Sequence, residues 1–150
     1  MTRCPGCGLA LDETAAAATH PYIGASAECW ALWGDVQVRE RRQLAVDTYA
    51  VQHPGVPERR SIQSVALHLM TLYLFLERGT EERHGPMLHR RMVASLPPDL
   101  RWLEPPSPNG TVTVADVLAG TAIEAWARDV WAAWSAHHDT VRGWTEQLLR

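Results

Sequence analysis

Residues Ile62 to Gly79 read IQSVALHLMTLYLFLERG, and between Val65 and Leu76 the only polar side chains are His68, Thr71 and the hydroxyl of Tyr73. A helix with no wet face has to be covered by other helices. The stretch therefore predicts a central helix in an all-α fold, a helical bundle of about four to five helices. A histidine inside such a helix is either a core group hydrogen-bonded to a neighbour or a ligand or proton-transfer group facing the interior.

Downstream, Glu77-Arg78-Gly79 supplies a stop, and TEERHGPMLHRRMVASLPP predicts a short helix from near Pro86 that ends before Pro97. His84 and His89 lie there among charges and read as surface residues. Asp99 to Gly110 holds three prolines and predicts an irregular surface crossing, the place where a lid would sit. Thr113 is placed to cap a short turn through Asp116. A last helix is predicted from about Thr121 to Leu149, with Ile123, Trp126, Val130, Trp134, His137, Val141, Trp144 and Leu148 on one stripe. His137 falls on the buried side and His138 on its flank.

Upstream, Ser26 is a good N-cap for a helix reading SAECWALWGDVQVRE, with Glu28 and Cys29 in its first turn. The run RERR at Arg39 to Arg42 reads as a solvated turn, after which QLAVDTYAVQHPG resumes the helical pattern until His53-Pro54-Gly55 ends it. Between Leu9 and Ala25 the chain reads as irregular, with an alanine run at Ala15 to Ala18 and breakers at Pro21 and Gly24.

CPGCG, residues Cys4 to Gly8, places two thiols two residues apart on a tight turn, as in one half of a zinc knuckle. Thioredoxin-type redox chemistry uses the same spacing but places the first cysteine at a helix N-terminus after a strand, and nothing before Cys4 is expected to supply a strand. Cys29 is the natural third ligand, because a helix N-terminus stabilises its thiolate. If the segments flanking the charged run form a hairpin centred near Glu40 or Arg41, residue 53 returns level with residue 29. That makes His53 the fourth ligand of a Cys3His site for Zn²⁺, with His20 as the competing choice.

With 150 residues, the chain is long enough for one domain with a true core, so 1–150 reads as a single helical domain in which 1–25 is a zinc-knuckle-like segment. All 14 basic residues are arginines, and the formal charge of −3 gives no excess of positive charge for a phosphate backbone. Nucleic acid is not an expected partner. The longest apolar run, about 12 residues, falls short of the ~20 that cross a bilayer, and the N-terminus lacks a basic region leading into an apolar one. A soluble, cytoplasmic protein with no membrane partner is expected. Three cysteines, two of them in Cys-x-x-Cys, fit metal or redox chemistry in a reducing compartment better than a disulfide framework.

The motifs CPGCG, AECW, VDTYAVQHPG and QSVALHLMTLYLFLERG, with the closing tryptophan-rich run ending in His137-His138, resemble an uncharacterised bacterial family known only as a domain of unknown function. The resemblance covers most of the chain and brings no activity with it. Members carry a histidine just ahead of the VD-x-Y-A segment, where this chain has Arg42. More loosely, an all-helical chain with inward histidines is similar in architecture to the DinB/YfiT bundle group. That resemblance implies a divalent metal held by His53, His68 and His137, and a thiol transferase or hydrolase activity.

Three functions follow as expectations. A Cys3His site would be coordinatively closed and would staple the N-terminal loop to the bundle in a binding or scaffold protein. An interior three-histidine site would keep an open position for catalysis. A pair of His68 with Asp47, near Tyr49, would offer metal-free acid–base chemistry if Asp47 is buried rather than on a wet helix face. No Gly-rich phosphate loop, nucleophile elbow or HExxH pattern is present. The partner, protein or small molecule, is not specified, and an apolar patch among the tryptophans would suit a homodimer.

Overall fold

The computed structural model of the chain describes residues 1–13 and 19–150. The alanine run at Ala15 to Ala18 lies outside the described residues. The fold is mostly helical: α1 (Ala27–Gly34), α2 (Arg42–Gln52), α3 (Arg59–Leu76), α4 (Gly85–Ala94), α5 (Val114–Leu118), α6 (Ile123–Ala133) and α7 (His138–Leu149). Short 3-10 turns at Glu82–His84 and Ser135–His137 lead into α4 and α7.

The apolar stretch is the central element. α3 packs on α2, α4, α6 and α7, and Val65 through Tyr73 are buried except at His68. Its end is set by Gly79 at φ 65°, a left-handed position that glycine adopts without a Cβ penalty, and Thr80 N–H closes on the Leu74 carbonyl at 3.0 Å. Trp126, Trp134 and Trp144 fill the interior from α6, its C-terminal boundary and α7, each at most 1% exposed. These three tryptophans are core, whereas Trp30, Trp33 and Trp102 are half-buried.

Three expectations about boundaries are corrected. The helix that starts at Ser26 stops at Gly34 rather than running to Glu40. Its poor helix propensity coincides with Val36 and Val38 leaving the helical path to pack on the core. The single last helix is two, and α5 precedes them, which raises the helix count to seven among the described residues. No proline or glycine marks the break at Trp134. Tertiary bonds hold it: Trp134 Nε1–H donates to Asn109 Oδ1 at 2.9 Å, and the His138 ring donates from Nε2 to the Trp131 carbonyl at 2.7 Å while stacking on the Trp131 ring at 3.9 Å. The third correction is at the N-terminus, where β1 (Thr2–Arg3) and β2 (Ala10–Leu11) pair antiparallel, Thr2 opposite Leu11. With two residues per strand, alternation had nothing to show. CPGCG forms the tip of this hairpin, not the strand-to-helix turn of a redox fold.

The segment Asp99 to Gly110 is irregular as expected, yet it does more than cross the surface. Asn109, 2% exposed, donates from Nδ2 to the Val51 and Gln52 carbonyls at 3.0 and 3.2 Å. Gln52 is fully buried, donates to the Asn109 and Val112 carbonyls at 3.0 and 2.7 Å, and accepts from Trp126 Nε1 at 3.0 Å. Every polar atom of these two amides has a partner, so the network fixes the C-terminal end of α2 against the loop and α6. After it, Thr113 N–H donates to Asp116 Oδ2 at 2.8 Å, the predicted cap of α5.

Candidate metal centre

Four side chains from three separate segments converge on one point. The ligand atoms of Cys4, Cys7, Cys29 and His53 all lie within 4.8 Å of one another. The hairpin tip supplies Cys4 and Cys7: Cys4 N–H donates to the Leu9 carbonyl and Gly8 N–H to the Cys4 carbonyl, both at 2.9 Å, which curls the turn so that both thiols face one side. The first turn of α1 supplies Cys29, whose N–H donates to Oγ of the N-cap Ser26 at 3.1 Å. The residue after α2 supplies His53. The hairpin reasoning thus finds its geometric counterpart, with Cys29 Sγ 3.5 Å from His53 Nε2.

The close approach depends on Gly6. A Cβ there would stand 2.5 Å from His53 Cδ2 and 2.6 Å from the Gln52 carbonyl oxygen. Only hydrogen fits between the knuckle and the end of α2. On the opposite side the chain is held by Gly24 N–H donating to the His53 carbonyl at 2.8 Å and by the bridge between Ile23 and Pro54.

The spacing fits a tetrahedral ion. Metal–sulfur bonds of ~2.3 Å and metal–nitrogen bonds of ~2.05 Å place two sulfurs about 3.8 Å apart and a sulfur and a nitrogen about 3.6 Å apart. Cys7 Sγ and Cys29 Sγ are 3.9 Å apart, and Cys29 Sγ and His53 Nε2 are 3.5 Å apart. His53 Nδ1–H donates to the Tyr49 carbonyl at 2.8 Å, which fixes the tautomer and leaves the Nε2 lone pair facing the thiols. Cys4, Cys29 and His53 are buried at 2%, 0% and 0% exposure, and Cys7 is half-buried.

Titration behaviour follows from the crowding. Hydrogen bonds from Cys29 and then Cys7 hold the Cys4 thiol far below its ordinary value, so one thiolate is stabilised by two donors. Cys29 is pushed far up by its contacts with Cys4 and Cys7 and by burial. At Cys7 the contact with Cys29 pulls down, but the neighbouring Cys4 and burial outweigh it and leave the thiol at about 11. Of the three thiols, the crowding favours the thiolate at Cys4 and disfavours it at Cys7 and Cys29. A divalent cation would remove that conflict by accepting all three as thiolates.

Tyr49 completes the surroundings. Its hydroxyl lies 3.4 Å from Cys29 Sγ, its ring stacks on His53 at 3.9 Å and on Trp33 at 4.7 Å, and burial followed by the Cys29 contact raises its phenol well above the usual value. Sequence reading gave Tyr49 no part in the cysteine site. The usable signal was its spacing of four residues from His53, which puts both on one helical face.

The other candidate residues lie elsewhere. His20 is exposed, accepts the Tyr22 N–H at Nδ1 over 3.2 Å and stands outside the four-residue cluster. The set of His53, His68 and His137 is not assembled: His53 faces the thiols, His68 Nδ1 bonds Asp47 at 2.6 Å, and His137 Nε2 bonds the Glu104 carbonyl at 2.8 Å. His137 is half-buried rather than interior, because the break at Trp134 rotates it off the stripe of an unbroken helix. Among the described residues, Cys4, Cys7, Cys29 and His53 are the one group of three or more ligand-type side chains that close together. Asp47 takes the buried reading, at 0% exposure.

Residues 2–135 match the family model of DUF5946, a family of unknown function. The chain belongs to this family. The match spans the hairpin, all four converging residues and the central helix of this DUF5946 member. No curated protein and no solved structure matches the chain. Among the described residues no helix is long and apolar enough to cross a membrane.

Proposed function

We infer that this chain is a small zinc-binding helical protein in which Cys4, Cys7, Cys29 and His53 hold one Zn²⁺ and staple the N-terminal hairpin to the bundle, in a binding or scaffold role. The observation that carries the reading is the mutual 4.8 Å closeness of three sulfurs and one oriented imidazole nitrogen contributed by three segments. A soft, sulfur-rich tetrahedral donor set selects zinc over magnesium or calcium, which take oxygen ligands. Four protein ligands close the coordination sphere, so the ion would contribute folding energy rather than an open position for water. Such a site makes a rigid corner from the β1–β2 hairpin, the start of α1 and the end of α2, segments that are otherwise short. Binding by a structural zinc is worth roughly 10–16 kcal/mol in small domains, more than enough to order a hairpin of two-residue strands.

The test is elemental analysis of protein purified without added metal, together with the Cys7→Ala variant. The expected result is one zinc per chain that is lost in the variant, and a metal-free sample whose melting temperature falls as the N-terminal segment loosens. Zinc retained at full stoichiometry in Cys7→Ala, or melting of a verified metal-free sample unchanged from the loaded one, would overturn the reading.

A further inference from the structure

A second polar cluster, sharing no residue with the metal centre, joins α2 to α3. Asp47 is 0% exposed, and its Oδ1 accepts from His68 Nδ1–H at 2.6 Å and from Gln43 Nε2–H at 2.9 Å. The other oxygen, Oδ2, is buried with no partner. A sealed carboxylate with an unmet acceptor costs stability, and among the described residues no arginine pairs with this one. A carboxylate only accepts, so the bond keeps the His68 proton on Nδ1 and leaves a lone pair on Nε2. Metal-binding histidines are arranged in this way, one ring nitrogen held through its N–H by a carboxylate or carbonyl and the other facing the ion. His53 is held likewise, by the Tyr49 carbonyl.

Among the described residues no hydrogen bond within the protein engages His68 Nε2, and the side chain keeps 18% of its surface accessible. The ring opens on a cleft of about 360 Å³ lined by Ser64, Leu67 and His68 of α3 and by His89 of α4, the helix packed beside it. His89 is exposed, and no hydrogen bond or ion pair ties its ring down among the described residues. One cleft thus takes imidazoles from two adjacent helices, the first fixed from behind and the second free to turn. The cation in the lining, Arg60, lies eight residues from His68, about 12 Å along the helix axis, and its Nη1–H donates to the Tyr22 hydroxyl at 3.3 Å. No acidic side chain lines the cleft. Imidazole nitrogens without carboxylate oxygens suit a transition ion and not magnesium or calcium.

We propose that this cleft is a second metal site, in which His68 Nε2 and the His89 imidazole hold a divalent transition ion such as zinc, nickel or cobalt, the remaining positions being open to water or a small ligand. Asp47 is a positioning residue: it holds the ring in the Nδ1–H tautomer, and its buried charge faces the ion across the ring. The ion takes the lone pair of a neutral ring, so no protonated imidazole is needed. Two protein ligands bind more weakly than four, so this ion exchanges with solvent, and protein purified without added metal keeps only the zinc of the cysteines.

The experiment adds Co²⁺ to the zinc-loaded full chain, counts both metals after equilibrium dialysis and follows the histidine Cε1–H resonances by NMR. Cobalt binds more weakly than zinc at a given donor set, so it leaves the cysteines to zinc. One cobalt per chain is expected at micromolar concentration, with the His68 and His89 resonances broadened ahead of those of the exposed His20 and His84. His89→Asn should melt as the wild type does, because the side chain is exposed, and should bind cobalt at least about tenfold more weakly. Asp47→Asn should weaken cobalt by about 10–100-fold and change the His68 tautomer read from its ¹⁵N shifts. No cobalt bound beside the zinc, broadening that spares His68, or a His89→Asn variant with wild-type cobalt affinity would each overturn the proposal. Cobalt on sulfur gives an intense charge-transfer absorption that cobalt on imidazole lacks, so failure here is distinguishable from failure of the zinc reading.

Discussion

Replacing Gly6 by alanine puts one methyl group where the metal knuckle meets the end of α2. The new Cβ would lie 2.5 Å from His53 Cδ2, 2.6 Å from the Gln52 carbonyl oxygen and 2.9 Å from His53 Cα. Ordinary contact begins at 3.4 Å, so the hairpin tip has to retreat by about 0.9 Å. Two of the three obstacles are backbone atoms, and no side-chain rotation clears them. The Gln52 carbonyl is further held by Asn109 Nδ2 at 3.2 Å, so α2 is the less yielding partner. A tetrahedral zinc site tolerates roughly 0.2 Å in its bond lengths, and a tip displaced by several times that carries Cys4 and Cys7 away from Cys29 and His53. The overpacking itself costs about 1–3 kcal/mol, and the displaced ligands should weaken zinc by on the order of 10–100-fold or more. Chelator competition gives the affinity, and thermal melting with and without chelator gives the increment of stability that depends on metal. Both should fall in Gly6→Ala. A variant with wild-type zinc affinity and wild-type melting would refute the close docking of the knuckle on α2 and the cluster geometry that rests on it.

Zinc binding should release about two protons per ion at pH 7, from Cys7 at about 11 and from Cys29, which is raised further, because Cys4 is already a thiolate. Affinity should therefore rise about 100-fold per pH unit near neutrality, and calorimetry in buffers of different ionisation enthalpy counts the protons; a count of zero or three would contradict the charge distribution. Asn109→Ala leaves the Val51 and Gln52 carbonyls and the Trp134 indole N–H without their partners, and denaturant unfolding should show a loss of about 3–5 kcal/mol; a loss under ~1 kcal/mol would mean that water replaces the amide freely. Gly143 sits inside α7 with nothing within 4 Å of an added Cβ, so Gly143→Ala should stabilise the fold by about 0.5–1 kcal/mol in the same assay, and a destabilised variant would contradict the open surroundings of that site.

What was legible in the sequence had local physical causes. The central helix announced itself because α3 has no wet face, and its observed span, Arg59–Leu76, differs from the reading by about one turn. Cys4 and Cys7 were visible from spacing and Cys29 from its place at a helix start, while His53 needed a three-dimensional argument about a hairpin. That argument put residues 29 and 53 level even though α1 proved shorter than expected, because the intervening irregular stretch still returns the chain to the same place. The Asp47–His68 pair was one of several readings, and nothing local distinguished a buried aspartate from an exposed one on the same helix. The lock between Gln52 and Asn109 was not legible, since it joins residues 57 apart, one of them in a proline-rich stretch without periodicity. The break at Trp134 was hidden for the same reason. Its causes are the tertiary bond from Trp134 to Asn109 and the Trp131 carbonyl taken by His138, and neither leaves a glycine or proline behind.

The most direct measurement of the central claim is X-ray absorption at the zinc edge on protein purified without added metal. Three sulfurs at ~2.3 Å and one nitrogen at ~2.05 Å, with no coordinated water, is the result expected for Cys4, Cys7, Cys29 and His53. A shell of nitrogen and oxygen alone, or a sulfur count below three with an open position, would contradict it.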